Sequence, residues 1–271
     1  MNAPRSYLFV PGDRPERFEK ALASAADAIV VDLEDAVAPL AKAAARDAVA
    51  ALLATGRAVD RIVVRINDET TPWFDADLAL LRNGQARAVM LPKAERAETI
   101  ARVRSACPDI AVLPLIESAR GMLAAEALAA ADGVQRLVFG TIDYALDMDL
   151  QGSLATTVGL DAAAARLALA SRAAGRLPPV AGVTVAIADE AALRADMERA
   201  LAHGFAAKLC IHPKQIAPLH ALLAPSADEF AWAQRVLEAA DAAGGAAVQI
   251  DGRMVDKPVI ERARRIAQRS R

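Results

Sequence analysis

Glu117 closes the apolar run 111–116, and Asp143 closes the run 136–142. Two carboxylates at neighbouring strand ends, with no histidine or cysteine beside them, suit a hard divalent cation such as Mg2+. Magnesium usually takes one or two protein carboxylates and leaves its other positions to water and substrate. An α-keto or α-hydroxy acid fills two such positions with its carboxylate and the neighbouring oxygen. Arg65, in the third apolar run, would grip that carboxylate through two parallel hydrogen bonds. Asp32, Glu34 and Asp35, at the end of the second run, would hold metal-bound waters. The alternative for these three acids is to cap the following helix, Asp35 above all. Taken singly, Lys93 and His212 read as solvated or structural charges, and Asp143 suits helix capping as well as metal binding. Their convergence with Asn67 on one mouth shifts the balance towards a small polar substrate.

The elements that must position these residues recur. Apolar runs fall at 7–10, 28–33, 61–66, 88–91, 111–116, 136–139, 180–185 and 207–211. They are continuous rather than alternating, as in parallel strands buried on both faces. Helical stretches separate them, with a repeat of roughly 30 residues, the size of a strand–helix–strand unit. Eight such units make an α/β protein of the (β/α)8 TIM-barrel class, whose strand ends carry the chemistry. One strand fewer would instead give an open doubly wound sheet. Asp13 is placed to cap a helix begun by Pro15, and Thr71-Pro72 opens another. Helices over 160–174 and 189–203 stop at Gly175 and Gly204. The connection 144–159 reads as an unusually long, functional loop.

After Pro213 the repeat stops. Ser226-Ala227-Asp228-Glu229 has capping-box spacing. Asp251-Gly252 between short apolar runs signals a hairpin, and Pro258 begins a last helix. The expected division is a barrel over 1–222 and a C-terminal helical and hairpin extension over 223–271. That extension cannot join a closed barrel, so it must pack outside it, over a mouth or on a neighbouring subunit.

The chain has 271 residues, 55% of them hydrophobic, enough for one large α/β domain with an appendage. A net charge of −2 gives no reason to expect nucleic acid or an anionic membrane as a partner. No apolar stretch is long enough to span a bilayer. The N-terminus shows no secretory pattern, and Cys107 and Cys210 lie far apart in different elements. These features point to a reduced, cytoplasmic protein.

Several segments carry a resemblance. They are Arg5-Ser6-Tyr7-Leu8-Phe9-Val10-Pro11-Gly12 with Arg14-Pro15-Glu16-Arg17-Phe18, Val31-Asp32-Leu33-Glu34-Asp35-Ala36-Val37, and Arg65-Ile66-Asn67 with Thr71-Pro72-Trp73. Then come Met90-Leu91-Pro92-Lys93, Pro114-Leu115-Ile116-Glu117-Ser118 and Phe139-Gly140-Thr141-Ile142-Asp143-Tyr144. Last are Leu209-Cys210-Ile211-His212-Pro213-Lys214-Gln215 and the stretch from Asp251 through Asp256-Lys257-Pro258-Val259. In this order the chain resembles the citrate lyase β-subunit-like branch of the HpcH/citrate lyase aldolase family, which also contains malyl-CoA lyases.

The resemblance implies a barrel enzyme that makes or breaks a carbon–carbon bond in a β-hydroxyacyl thioester such as malyl-, citramalyl- or citryl-CoA. It implies Mg2+ held by Glu117 and Asp143, and Arg65 as the carboxylate-binding arginine. It assigns Asp256 as an acid/base reaching the active site of the next subunit in a trimer-based homo-oligomer. By pattern alone Asp256 is an N-cap before Pro258. Lys20, and also Arg14 or Arg17, lie near positions used for coenzyme A phosphates. Two departures stand out. The seventh run reads Pro179-Val180-Ala181-Gly182-Val183, where relatives often have Asp before the glycine. The chain also lacks the longer C-terminal region of many malyl-CoA lyases, so the acyl carrier is either coenzyme A or an acyl carrier protein. Thioester hydrolysis, a subunit active only within a citrate lyase complex, and an aldolase on free keto acids are the rival readings.

Overall fold

The computed structural model describes residues 3–242, 248–250 and 253–269. Its larger unit spans Ala3–Leu219 and is a closed barrel of eight parallel strands. These are β1 (Ser6–Pro11), β2 (Ala28–Asp32), β3 (Ile62–Arg65), β4 (Ala88–Leu91), β5 (Ala111–Ile116), β6 (Val138–Phe139), β7 (Val180–Ala181) and β8 (Ala207–Cys210). Each pairs with the next in sequence, and β8 closes on β1 through Tyr7 opposite Leu209. All eight expected strands are present, so the open sheet is excluded.

Side chains alternate across each strand. Tyr7, Val30, Val63, Met90, Leu113, Leu115, Val138, Val180 and Leu209 fill the inside as one cluster. The intervening residues of β2, Ile29 and Val31, are just as buried, which is why the run reads as continuous.

The sixth and seventh strands are shorter than their apolar runs. Arg136 opens its run but lies ahead of β6. Its Nε donates to Pro178 O at 2.8 Å and its Nη1 to Pro4 O at 2.8 Å. The guanidinium thereby ties the approaches to β1, β6 and β7 together at the N-terminal end of the barrel. Beyond Ala181 the chain leaves the sheet.

Two local expectations are corrected. The 144–159 connection is largely helical: one helix covers Thr141–Asp147 and the next runs Ser153–Ala173. The segment has no proline, and Gly152 separates the two helices. Asp13 is not a cap. Arg14 holds the N-cap position of a short 3-10 turn at Pro15–Arg17, without a side-chain bond, and this leads into the helix Phe18–Leu22. By contrast Asp189 does cap the helix Glu190–Ala202, accepting Ala192 N–H at 2.9 Å.

The second unit runs from His220 onward. The boundary falls within the helix Ile216–Leu223. The capping box is formed in both directions: Glu229 N–H donates to Ser226 Oγ at 3.1 Å and Ser226 N–H to Glu229 Oε2 at 3.0 Å. It starts the helix Ala227–Ala242. Strands Val248–Ile250 and Arg253–Val255 pair antiparallel, Ile250 opposite Arg253. The Asp251-Gly252 turn itself lies outside the described residues. A last helix, Lys257–Arg269, packs Ile260, Ala263 and Ile266 with Val236 and Val255 into a small core of this unit's own. Both cysteines are buried and free. Among the described residues no helix is long and apolar enough to cross a membrane.

Candidate active site

The inward alternation of the strands continues past the apolar core. Asp32 lies two residues after Val30, Arg65 two after Val63, and Glu117 two after Leu115. Period-two geometry therefore aims all three into the C-terminal mouth of the barrel, where they are buried.

Asp32 and Arg65 are register neighbours on β2 and β3. Arg65 Nε donates to Asp32 Oδ1 at 2.7 Å and Nη2 to Oδ2 at 2.6 Å, a two-pronged pair. The same carboxylate accepts Glu34 N–H at 2.8 Å and Ala36 N–H at 3.0 Å. Asp32 is therefore fully engaged, and it, not Asp35, organises the turn after β2. Asp35 is exposed and reaches Arg65 Nη1 at 3.6 Å. The fork expected to grip a substrate carboxylate is thus already taken. What remains to a substrate is the terminal end of the guanidinium, which stacks 4.9 Å over the Phe9 ring. Burial opposes the arginine's charge, but the Asp32 hydrogen bonds and the surrounding carboxylates hold its pKa raised.

Glu34 is buried beside this pair. Its Oε2 lies 3.0 Å from Arg65 Nη1 yet is not aligned for a hydrogen bond, so the oxygen has none. Its Oε1 is 3.8 Å from Lys93 Nζ. Burial raises the Glu34 pKa to about 8 against the pull of Arg65. Lys42 holds the turn from beneath, donating to Leu33 O and Glu34 O, both at 2.7 Å.

Glu117 Oε1 accepts Lys93 N–H at 2.7 Å, which places the β4 loop over the carboxylate. Gly140 is what lets Glu117 sit where it does: a Cβ there would lie 2.7 Å from Glu117 Oε2 and 2.6 Å from its Cβ. Burial, aided by the charge of Asp143 and offset by the Lys93 amide, raises the Glu117 pKa to about 7. Asp143 stands exposed in the first turn of Thr141–Asp147. The N-cap position there is Gly140, and no side chain bonds that cap, so the capping role is not what Asp143 performs.

Two hard oxygen donors of like charge, one of them raised chiefly by burial and further by the other's charge, form a pair that a divalent cation would relieve. Mg2+ fits this donor set. Among the described residues no group of three or more His, Cys, Asp or Glu side chains is placed to hold a metal ion.

Other expected residues are placed differently. Asn67 is tied to Asp77, its N–H and Nδ2 both donating to Oδ2, at 2.8 and 2.7 Å. Asp77 also pairs with Arg46, so Asn67 is a structural residue. His212 caps the turn Pro213–Gln215, its Nδ1 accepting Lys214 N–H at 3.1 Å. Lys20 and Arg14 are exposed on the β1–β2 connection, with Arg14 3.8 Å from Asp13. Arg17 lies 4.0 Å from Glu16. Asp256 belongs to the second unit, where its Oδ1 accepts Val259 N–H at 3.4 Å at the start of the last helix. The roles of Phe9, Lys42 and Gly140 escaped the sequence reading. Phe9 and Gly140 lay inside segments that carried the resemblance, and Lys42 carried no signal.

Residues 5–213 match the family model described as HpcH/HpaI aldolase/citrate lyase. The chain belongs to that family. Residues 169–271 match a second model, described as C-C bond lyase of the TIM-barrel fold. Among relatives of this family member, a citrate lyase subunit beta-like protein of Mycobacterium tuberculosis is 40% identical over 270 residues, covering 97% of this chain and 94% of that protein. A (3S)-malyl-CoA thioesterase of Cereibacter sphaeroides is 37% identical over 267 residues, covering 96% and 92%. The crystal structure of CitE from M. tuberculosis in complex with magnesium, acetoacetate and coenzyme A superposes with a TM-score of 0.82 at 36% identity, covering 99% of this chain and 98% of that one.

Arg65→Lys keeps the charge but loses the planar fork. Asp32 then keeps at most part of its two-pronged partner, so the variant is expected to lose about 1–3 kcal/mol of stability, read as a lower melting temperature. KM rises and kcat falls about 10²-fold. Unchanged kinetics in a folded variant would assign Arg65 a purely structural role.

Proposed function

We propose that the protein is a Mg2+-dependent carbon–carbon lyase acting on malyl-, citramalyl- or citryl-type coenzyme A thioesters. The observation that carries this reading is the mouth itself. Glu117 points inward with Asp143 beside it, next to an arginine locked by Asp32. Membership in the family and the magnesium, acetoacetate and coenzyme A bound by CitE support it.

Glu117 and Asp143 would hold the ion, which supplies Lewis-acid polarisation of the keto-acid oxygens. The end of the Arg65 guanidinium that the Asp32 fork leaves unused, shared with Glu34 and Asp35, would orient the same oxygens. Glu34, in its ionised form, would take the proton of the substrate hydroxyl through Oε2, which is buried and without a hydrogen bond, as the C–C bond breaks. The departing thioester carbon gains electron density as an enolate, and Asp256 of an adjoining subunit would protonate it. In synthesis the same carboxylate removes that proton. Lys20 and Arg14 would meet the phosphates of coenzyme A. On this reading the protein is a cytoplasmic homo-oligomer, trimeric or hexameric, and an acyl carrier protein is the alternative bearer of the thioester.

The second reading is hydrolysis of the same esters, favoured by the 37% identity to a (3S)-malyl-CoA thioesterase. A panel of these esters with Mg2+, following keto-acid and free-thiol release separately, tests both. A lyase releases keto acid together with acetyl-CoA and no free thiol; a hydrolase releases free thiol and the intact hydroxy acid. Turnover of neither by the purified oligomer would sink the proposal.

The raised acids make metal binding pH-dependent. An acid held above its ordinary 4.5 binds more protons folded than unfolded up to about 7 for Glu117 and about 8 for Glu34. Their contribution to the stability of the metal-free protein therefore falls as pH rises through that window. Mg2+ requires the ionised Glu117, so its affinity falls about tenfold per unit below pH 7. In thermal melts the stabilisation by Mg2+ is expected to grow between pH 6 and pH 8. A shift independent of pH would rule Glu117 out as a ligand.

A further inference from the structure

A cavity of about 330 Å³ lies between the ends of β6, β7 and β8 and the helices Thr141–Asp147, Ser153–Ala173 and Glu190–Ala202, on the far side of the helix that carries Asp143. That is within the range of small-ligand pockets, about 300–1,000 Å³. At its base is Lys208, 2% exposed. Ala207 and Leu209 face the barrel core, so Lys208 points the other way, out through the wall. Its Nζ donates one hydrogen bond, to Gly182 O at 2.8 Å. The carboxylate paired with it, Asp196, is 3.9 Å away and already accepts Thr184 Oγ1 at 2.5 Å.

The second carboxylate of the cavity, Asp161, is held by Arg199 Nε at 2.6 Å and His203 Nε2 at 2.7 Å. A buried ammonium is therefore left without a carboxylate in hydrogen-bond range. Such a group is costly to bury unless something else meets it. Burial pushes its pKa down, against the pull of Asp196. Apart from Thr141, the remaining lining is apolar, with Ile142, Leu160, Ala164, Val183 and Phe205, and both Ile142 and Val185 are exposed.

We propose that this cavity is a second small-molecule site, taking a monocarboxylic acid with a short apolar tail. The carboxylate meets the free N–H groups of Lys208, and the tail lies along Leu160 and Ala164. A dianion such as phosphate is disfavoured, because Asp161 and Asp196 both stand in the wall. The site is independent of the lyase reading. It adjoins the mouth through the helix that carries Asp143: Thr141 and Ile142 of that helix line the cavity, and a Cβ on Gly182 would lie 2.3 Å from Thr141 Oγ1.

The test is calorimetric titration of the full chain, stripped of metal, with hexanoate and with 1-hexanol as the uncharged control. Hexanoate is expected to bind one per chain, and hexanol at least about tenfold more weakly. Lys208→Met removes the ammonium at similar volume, and Ala164→Phe fills the cavity from the helix. Each is expected to weaken hexanoate at least about tenfold while circular dichroism shows the fold intact. Should Lys208→Met fail to fold, Ala164→Phe decides alone. No hexanoate binding to the wild-type protein, or equal binding by the folded variants, would overturn the assignment.

Discussion

Glu117→Ala is expected to remove Mg2+ binding at the mouth and lower kcat/KM by at least about 10³-fold, the several kcal/mol that a Lewis acid contributes to such a transition state. The variant should still fold. Glu117 is buried with a raised pKa, so the site holds a group the metal-free protein accommodates poorly. Its loss leaves only the Lys93 amide without an acceptor. Metal-free Glu117→Ala is therefore expected to be no less stable at pH 8 than the metal-free wild type. Two measurements check this: Mg2+ titration by calorimetry, and the melting temperature with and without Mg2+. Wild-type protein should be stabilised by the ion and the variant should not. Mg2+-dependent turnover retained in full by the variant would remove Glu117 from the metal site, and with it the reading of Asp143 as its partner.

The barrel was legible because its strands are buried on both faces. Continuous runs such as Ala28-Ile29-Val30-Val31 mark parallel strands without any knowledge of their partners. The ends of β6 and β7 were not legible. Leu137 and the residues after Ala181 continue the apolar pattern beyond the strands, but Arg136 and Gly182 beside them bond to Pro4, Pro178 and Lys208, distant in sequence. The inward direction of Asp32, Arg65 and Glu117 was implicit in period two. Which of them meets a substrate was not, since the Asp32–Arg65 fork depends on the register of two strands. A carboxylate beside an arginine looks alike in sequence whether the arginine serves a ligand or its neighbour. A local signal that needs only its own segment, such as the Ser226–Glu229 box, could be read directly.

Asp256 is the residue for which sequence pattern and family resemblance differ most. The cap bond to Val259 N–H, at 3.4 Å, is long and leaves most of the exposed carboxylate free, so capping does not exhaust its capacity. Asp256→Asn keeps a capping oxygen and loses the titratable group. On the proposed reading it should therefore keep its fold, Mg2+ binding and keto-acid binding while kcat falls about 10²–10⁴-fold. Mixing then distinguishes action within one chain from action across subunits. Subunits carrying Asp256→Asn are unfolded and refolded together with subunits carrying Glu117→Ala, each inactive alone. In a cyclic oligomer each site draws its metal pocket from one chain and Asp256 from the next. At equal proportions about one quarter of the sites pair an intact pocket with an intact Asp256, and activity should recover to about that fraction. If Asp256 served its own chain, every site would carry one defect and mixing would restore nothing. Mass spectrometry of the mixed oligomers verifies that exchange took place. Absence of recovery in verified mixtures would return Asp256 to the role of a helix cap or of an acid within its own subunit.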